Sequence, residues 1–217
     1  MIGHKRRLFF GLGLFIAFLV VLVIMFLPVF KGNNALEFLD ALYNSISKGS
    51  AYYIPKVKDE SEGFLGTYVS IEISMKDHRQ AQRAAALFEA GGAEAASAEA
   101  GLKVTGDLGK ILENCLSDAD AMYHNDGKGI SGKYSYDERL VLFDWWTALA
   151  RMESGLKNQK KFKEAKIVDL VKKKAVETSY NYYKIEPQKI TDRTGLVVIS
   201  LIFYVVYTLW YGFAVLF

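Results

Sequence analysis

Two stretches of the chain hold no charged residue, Leu8–Phe30 and Leu196–Phe217. Each is roughly 22 residues long, and at ~1.5 Å per residue a helix of that length crosses a hydrocarbon core of ~30 Å. Every Asp and Glu lies between them. The pattern predicts a membrane protein with two transmembrane helices that flank an extramembrane part.

Between the two runs the period changes several times. Asn34 is placed to cap a helix, and Leu36, Leu39, Leu42, Tyr43 and Ile46 follow with helical spacing until Gly49. Residues 51–67 read as irregular, because Pro55, a charge cluster and two glycines break any period. Val69, Ile71, Ile73 and Met75 then alternate with Ser70, Glu72 and Ser74, which predicts a half-buried strand. Asp77 caps a helix to about Ala90 that carries Ala81, Ala84, Ala85 and Phe88 on one side, and Gly91 and Gly92 stop it. A weak hairpin follows. Asp107 opens a further helix with Leu108, Ile111, Leu112, Cys115, Leu116, Ala119, Met122 and Tyr123 on one face.

Strand, helix, hairpin, helix predicts a small α+β layer, a three-stranded sheet covered by two helices; an all-α bundle is the alternative. Leu142, Trp145, Trp146, Leu149, Met152 and Leu156 mark a long helix, resumed by Val168, Val171, Ala175 and Tyr182. Pro187 is expected in the first turn of a new helix. The chain therefore divides into a basic tail (1–7), transmembrane helix 1 (8–30), a helix with an irregular connector (31–67) and the small α+β domain (68–123). A glycine-rich loop (124–135), a long helical segment (136–186) and transmembrane helix 2 with an amphipathic lead-in (187–217) complete it.

Charge adds an orientation. The net +3 equals the contribution of Lys5, Arg6 and Arg7, so the rest is balanced and gives no general attraction to nucleic acid. Three cations precede the first span and only Lys31 closely follows it. That bias puts the N-terminus in the cytoplasm. Lys184, Lys189 and Arg193 before the second span point the other way, but the first helix usually sets the topology. The expectation is a two-pass protein of the cell membrane, with cytoplasmic termini and an extracytoplasmic central domain. The first apolar run exceeds a signal-peptide core and lacks a small-x-small cleavage site, so it is read as an anchor.

Candidate chemistry is sparse. Gly127–Tyr134, "GKGISGKY", fits G-x-G-x-x-G and comes one residue from a P-loop, with Tyr134 where Ser or Thr is required. A helix precedes it instead of a strand, so the stretch is read as a mobile basic loop. Asp118, Asp120 and His124 lie within one helix end, but a further metal ligand is not evident, and a capped helix end is the better account. Cys115 faces the apolar side of its helix, where a thiol is inert. No G-x-S-x-G, C-x-x-C-H or span histidine occurs. No catalytic residue, metal or cofactor is expected.

Two segments suggest contacts. Eight lysines from Lys157 to Lys174, against Glu164 and Asp169, end in Lys172, Lys173 and Lys174 and suit an acidic protein surface or anionic lipid. In the second span Ser200, Tyr204, Tyr207, Thr208 and Tyr211 share a face beside Trp210. The deep hydroxyls of Tyr204 and Tyr207 need partners, which favours packing on the first span or another subunit; a groove there would also admit a quinone or lipid tail. Tyr52, Tyr53, Trp145, Trp146, Tyr180, Tyr182 and Tyr183 are candidates for a docking surface. The expected function is a non-catalytic membrane accessory or scaffold subunit, held among partner membrane helices and docked on a larger complex. The alternative is an extracytoplasmic ligand-binding or sensory domain that needs a separate signalling partner.

Overall fold

The computed structural model describes residues 2–30 and 32–217, with the backbone alone at 2–4. Lys31, counted above in the charge balance, lies outside the described residues. In chain order the elements are α1 (Ile2–Met25), α2 (Ala35–Ser50), α3 (Ile54–Glu62), β1 (Tyr68–Ser74), α4 (His78–Ala90), β2 (Glu94–Ala98), β3 (Gly101–Asp107), α5 (Leu108–Tyr123), α6 (Gly127–Tyr134), α7 (Glu138–Asn158), α8 (Phe162–Val171), a π-turn (Lys172–Val176), α9 (Glu177–Tyr182) and α10 (Ile190–Leu216). The protein is mostly helical with one small sheet. It forms two compact units, one made of the chain up to Ser50 and from Ile185 onward, the other of Ala51–Lys184.

In the first unit, α1 and α10 are long and apolar enough to cross a membrane. α2 begins with a complete capping box. Asn34 Oδ1 accepts from the Glu37 N–H at 2.9 Å, and a Glu37 carboxylate oxygen accepts from the Asn34 N–H at 3.0 Å. Pro187 does not open a helix. It lies in an extended link ahead of α10, because that link's backbone is engaged by α2: Gln188 N–H donates to Ser45 O at 3.0 Å, and Lys48 Nζ donates to Ile185 O at 2.7 Å.

The second unit holds an antiparallel sheet in the order β1-β3-β2, with Ile71 opposite Val104. Val69, Ile71, Ile73, Leu102 and Val104 are buried on one face, while Ser70, Glu72 and Lys103 lie exposed on the other. The period-two pattern thus buries one face only. α4 covers β2 and β3 as expected, and Asp77 caps it by accepting from Gln80 N–H at 2.8 Å. The cover of β1 is α7, not α5. Gly155 permits the close crossing, since a Cβ there would fall 2.6 Å from Ile71 Cδ1.

Three local readings are corrected. Residues 54–62 are helical, not irregular: Pro55 sits in the first turn, where its fixed φ suits a helix, and Ile54 and Val57 are buried. The glycine-rich stretch is the helix α6, not a loop. Asp126 caps it by accepting from Gly129 N–H at 3.1 Å, Ser135 ends it at φ 62°, and Ile130 is buried beneath it. Gly127 is required because a Cβ would overlap the Tyr183 hydroxyl. The long helical segment is interrupted after Asn158, where Lys160 takes φ 61°, and again by the π-turn. A single core extends from Ile54 to Tyr183, so residues 68–123 share it with the helices that follow.

Candidate interaction surfaces

α1 and α10 pack by small residues and rings. A Cβ on Gly11 would lie 2.8 Å from the Phe217 carbonyl carbon and 3.2 Å from Ala214 O, so only glycine allows this approach. The Tyr207 O–H donates to Phe18 O at 3.3 Å and its ring stacks on Phe18 at 4.3 Å. Trp210 Nε1–H donates to Leu14 O at 3.1 Å. Tyr211 is half exposed but tilts over Phe18 at 5.4 Å. Ser200 pairs with the Tyr43 hydroxyl of α2 at 2.6 Å.

The face predicted to be shared therefore splits. Tyr207 and Trp210 turn toward α1, whereas Tyr204 is 68% exposed and Thr208 is exposed beside it, its hydroxyl donating to Tyr204 O at 2.7 Å. At ~100° per residue, positions 207, 210 and 214 span about 60° of the helix, and 204 lies about 60° beyond 207 on the side away from 210.

The lysine segment is also divided by its neighbours. Lys172 is buried and not available to a partner: its Nζ pairs with Glu153 at 2.5 Å and Asp169 at 2.9 Å. Lys173 is exposed but pairs with Asp169 at 2.9 Å, and Lys174 lies 4.7 Å above the Tyr53 ring. Lys173 and Lys174 still border a groove with Lys163, Lys166 and Glu60. Lys163 and Lys166 pair with no carboxylate among the described residues.

Burial opposes ionisation of Glu153 and Asp169, but their lysine partners outweigh it and hold both carboxyls below their ordinary values of 4.5 and 3.8. Such depressed groups add stability above the unfolded-state values and lose it as pH falls through the folded ones. Lys172→Met is expected to cost about 1–3 kcal/mol at pH 7. It should also flatten the fall of the urea midpoint between pH 5 and pH 3 relative to the unaltered chain. An equal slope in the two proteins would show that the ion pairs do not form.

The remaining sequence candidates are mostly structural. Asp118 is buried and accepts from Lys133 Nζ at 2.6 Å, the Tyr134 hydroxyl at 2.5 Å and Trp145 Nε1 at 2.8 Å. The lysine of the phosphate-loop look-alike thus neutralises an interior carboxylate. Burial, then the bond to Asp118, pushes the Tyr134 phenol far up. Asp120 points elsewhere and accepts from the Tyr52 hydroxyl at 2.7 Å. Burial and that bond push the Tyr52 phenol up to about 12. His124 Nδ1 lies 2.9 Å from Asp120 O, at the helix end. The acid–histidine trio is split between the core and the surface.

A second buried carboxylate, Asp144, accepts from Arg83 Nε at 2.6 Å, Arg83 Nη2 at 3.2 Å and Gln80 Nε2 at 3.0 Å. Neither interior acid was evident as such in the sequence, where Asp144 followed an apolar run and Asp118 an ordinary helix face. Burial also pushes the Cys115 thiol well up.

Of the docking aromatics, Trp145 and Tyr183 are buried and unavailable. Tyr183 donates to Glu138 at 2.7 Å and Trp145 serves Asp118, so each ring has an interior polar partner. Tyr52, Tyr53, Trp146 and Tyr180 are exposed, and Tyr182 is half-buried. Phe143, missed in the sequence, joins Trp146 by stacking at 6.5 Å; it stands one helical turn before Thr147 on the solvent side of α7. Phe143, Trp146 and Tyr180 surround one hollow, with Arg139 6.0 Å above Tyr180.

No protein-family model matches the chain, and neither a curated protein nor a solved structure matches it.

Proposed function

We propose that this chain is a non-catalytic integral membrane accessory or scaffold subunit. α1 and α10 lie side by side in the bilayer and pack against membrane helices of partner proteins. The Ala51–Lys184 unit docks on the extramembrane part of the same assembly. The cations Lys5, Arg6 and Arg7 support a cytoplasmic start of α1 and end of α10, with the Ala51–Lys184 unit on the opposite side.

Tyr204 carries the reading. It stands near the middle of α10, turned away from α1 and 68% exposed. A phenol facing hydrocarbon without a partner costs on the order of 2–7 kcal/mol, so a neighbouring helix that accepts its hydrogen bond is favoured. Phe143, Trp146, Tyr180 and Arg139 support a second contact on the outer unit, because aromatic and arginine side chains dominate interface energies. Lys163, Lys166, Lys173 and Lys174 add a basic groove suited to an acidic protein surface or anionic headgroups.

Extraction from native membranes in mild detergent, followed by size separation and mass spectrometry, tests the proposal. The chain is expected in a larger complex at fixed stoichiometry. Phe143→Ser with Trp146→Ser should cut partner recovery at least tenfold while leaving the melting temperature within a few degrees, since both side chains are exposed. Recovery of the chain alone, or turnover of a substrate by the isolated chain, would overturn the reading.

A further inference from the structure

The helical unit contains a cleft of about 360 Å³ between α1, α2 and α10, walled by apolar side chains that include Met25, Leu39, Ile199 and Phe203. Its one side-chain hydroxyl among the described residues, Ser200, is already occupied by Tyr43 and by Val197 O at 2.8 Å. The cleft therefore has no polar demand to make of an occupant. It adjoins a second hollow of about 460 Å³, with Val29, Phe30, Phe38 and Leu196 lining both. That hollow is also mainly apolar, but Asn33, Ser45, Gln188 and Arg193 border it.

Arg193 gives the mouth its charge. Its Nε–H donates to Gln188 Oε1 at 2.7 Å, which orients the guanidinium. The group pairs with no carboxylate among the described residues. The adjacent Asp192 accepts from Thr191 at 3.2 Å. No charge occurs from Thr194 to Phe217, so Arg193 stands at the polar end of the apolar helix. From Arg193 to Phe203 the helix rises about 15 Å at ~1.5 Å per residue, half the ~30 Å core of a bilayer.

An apolar slot one leaflet deep, with an oriented arginine in the adjoining hollow, is complementary to an anionic amphiphile. We infer that the unit binds one anionic phospholipid, with an acyl chain between α1, α2 and α10 and the phosphate on Arg193 and Gln188. The inference rests on the membrane reading above and names a ligand for the helical unit. A neutral quinone would leave the guanidinium unanswered, whereas a phosphodiester accepts two N–H bonds from it.

Native mass spectrometry of the full chain, released from micelles doped with equal phosphatidylglycerol and phosphatidylcholine of matched acyl chains, decides the matter. One retained phosphatidylglycerol is expected, favoured at least tenfold over phosphatidylcholine. Arg193→Gln should bring that preference to within about twofold, and Ala35→Phe, which fills the cleft, should lower retention of both lipids at least tenfold. Soluble glycerol phosphate should fail to compete. An unaltered preference in Arg193→Gln, retention in Ala35→Phe, competition by glycerol phosphate, or a ladder of lipids without headgroup preference would each overturn the site. Alkaline-carbonate extraction of the same variants reads the membrane reading separately: release of the unaltered chain sinks that reading, while retention of all variants with loss of headgroup preference supports the lipid site.

Discussion

Asp118→Ala is expected to destabilise the Ala51–Lys184 unit by about 3–5 kcal/mol, since three donors lose one shared charged acceptor. For a unit of this size that corresponds to a drop in melting temperature of roughly 10–20 °C. Asp118 is 1% exposed and holds three donors from two later helices, Lys133 and Tyr134 of α6 and Trp145 of α7. Alanine strands the indole N–H of the fully buried Trp145, which has no route to water, while Lys133 and Tyr134 lose their charged partner and keep only Asn114. Asp118→Asn keeps an acceptor oxygen and should cost less. Combining Asp118→Leu, Lys133→Met and Tyr134→Phe should recover only part of the loss, because matched apolar replacement removes the desolvation penalty of those three groups but leaves the Trp145 N–H without its acceptor. Thermal melts followed by near-ultraviolet dichroism provide the measurement. A melting temperature for Asp118→Ala within 2 °C of the unaltered chain would show that α6 is not tied to the core in this way.

Gly11→Leu is expected to separate α1 from α10 and to cost about 1–3 kcal/mol by overpacking. The position has no slack. Even a methyl group would sit 3.2 Å from Ala214 O, which is held within α10, and 2.8 Å from the carbonyl carbon of Phe217. Apolar helices gain little from burial against one another when lipid is equally apolar, so close contact is what holds such a pair. Spin labels at the exposed positions Ile16 and Leu209 should report a longer and broader distance distribution in the variant. Cys115 is buried and should not take the label. Gly13→Leu is the control: it is also on α1 but meets nothing within 4 Å, and should leave the distance unchanged. Equal effects at both glycines would contradict the contact line.

Much of the local structure was legible because it is written in short-range chemistry. Asn34, Asp77, Asp107 and Asp137 each accept from backbone N–H groups within three residues, so each announces its helix in a tetrapeptide. The alternation at Val69, Ile71 and Ile73 needs only one buried face to be read as a strand. The failures came where a breaker has two meanings. Pro55 stops a helix from inside but suits its first turn, and the choice was made by the burial of Ile54 and Val57. The glycines of α6 suggested mobility. Gly127 instead makes room for Tyr183, a residue far along the chain.

Site residues were harder to read, since composition assigns a charge but not its partner. Lys172, Lys173 and Lys174 are identical letters, yet Lys172 meets Glu153 in a different helix and is lost to the surface. Tyr204 and Tyr207 are three residues apart on an apolar helix. Only the position of α1 turns one phenol to Phe18 O and leaves the other outward.

The sequence by itself determined the two long uncharged apolar runs, the caps, the strand alternation and the order strand, helix, hairpin, helix. These follow from local periodicity and from hydrogen bonds between near neighbours. Tertiary structure alone decided which carboxylates are interior, which lysines and aromatics remain exposed, and which helix covers β1. It also formed the cleft beneath Arg193. Those outcomes depend on contacts between residues distant in the chain, and burial, which sets the cost of every charge and hydroxyl, exists only once those contacts are made.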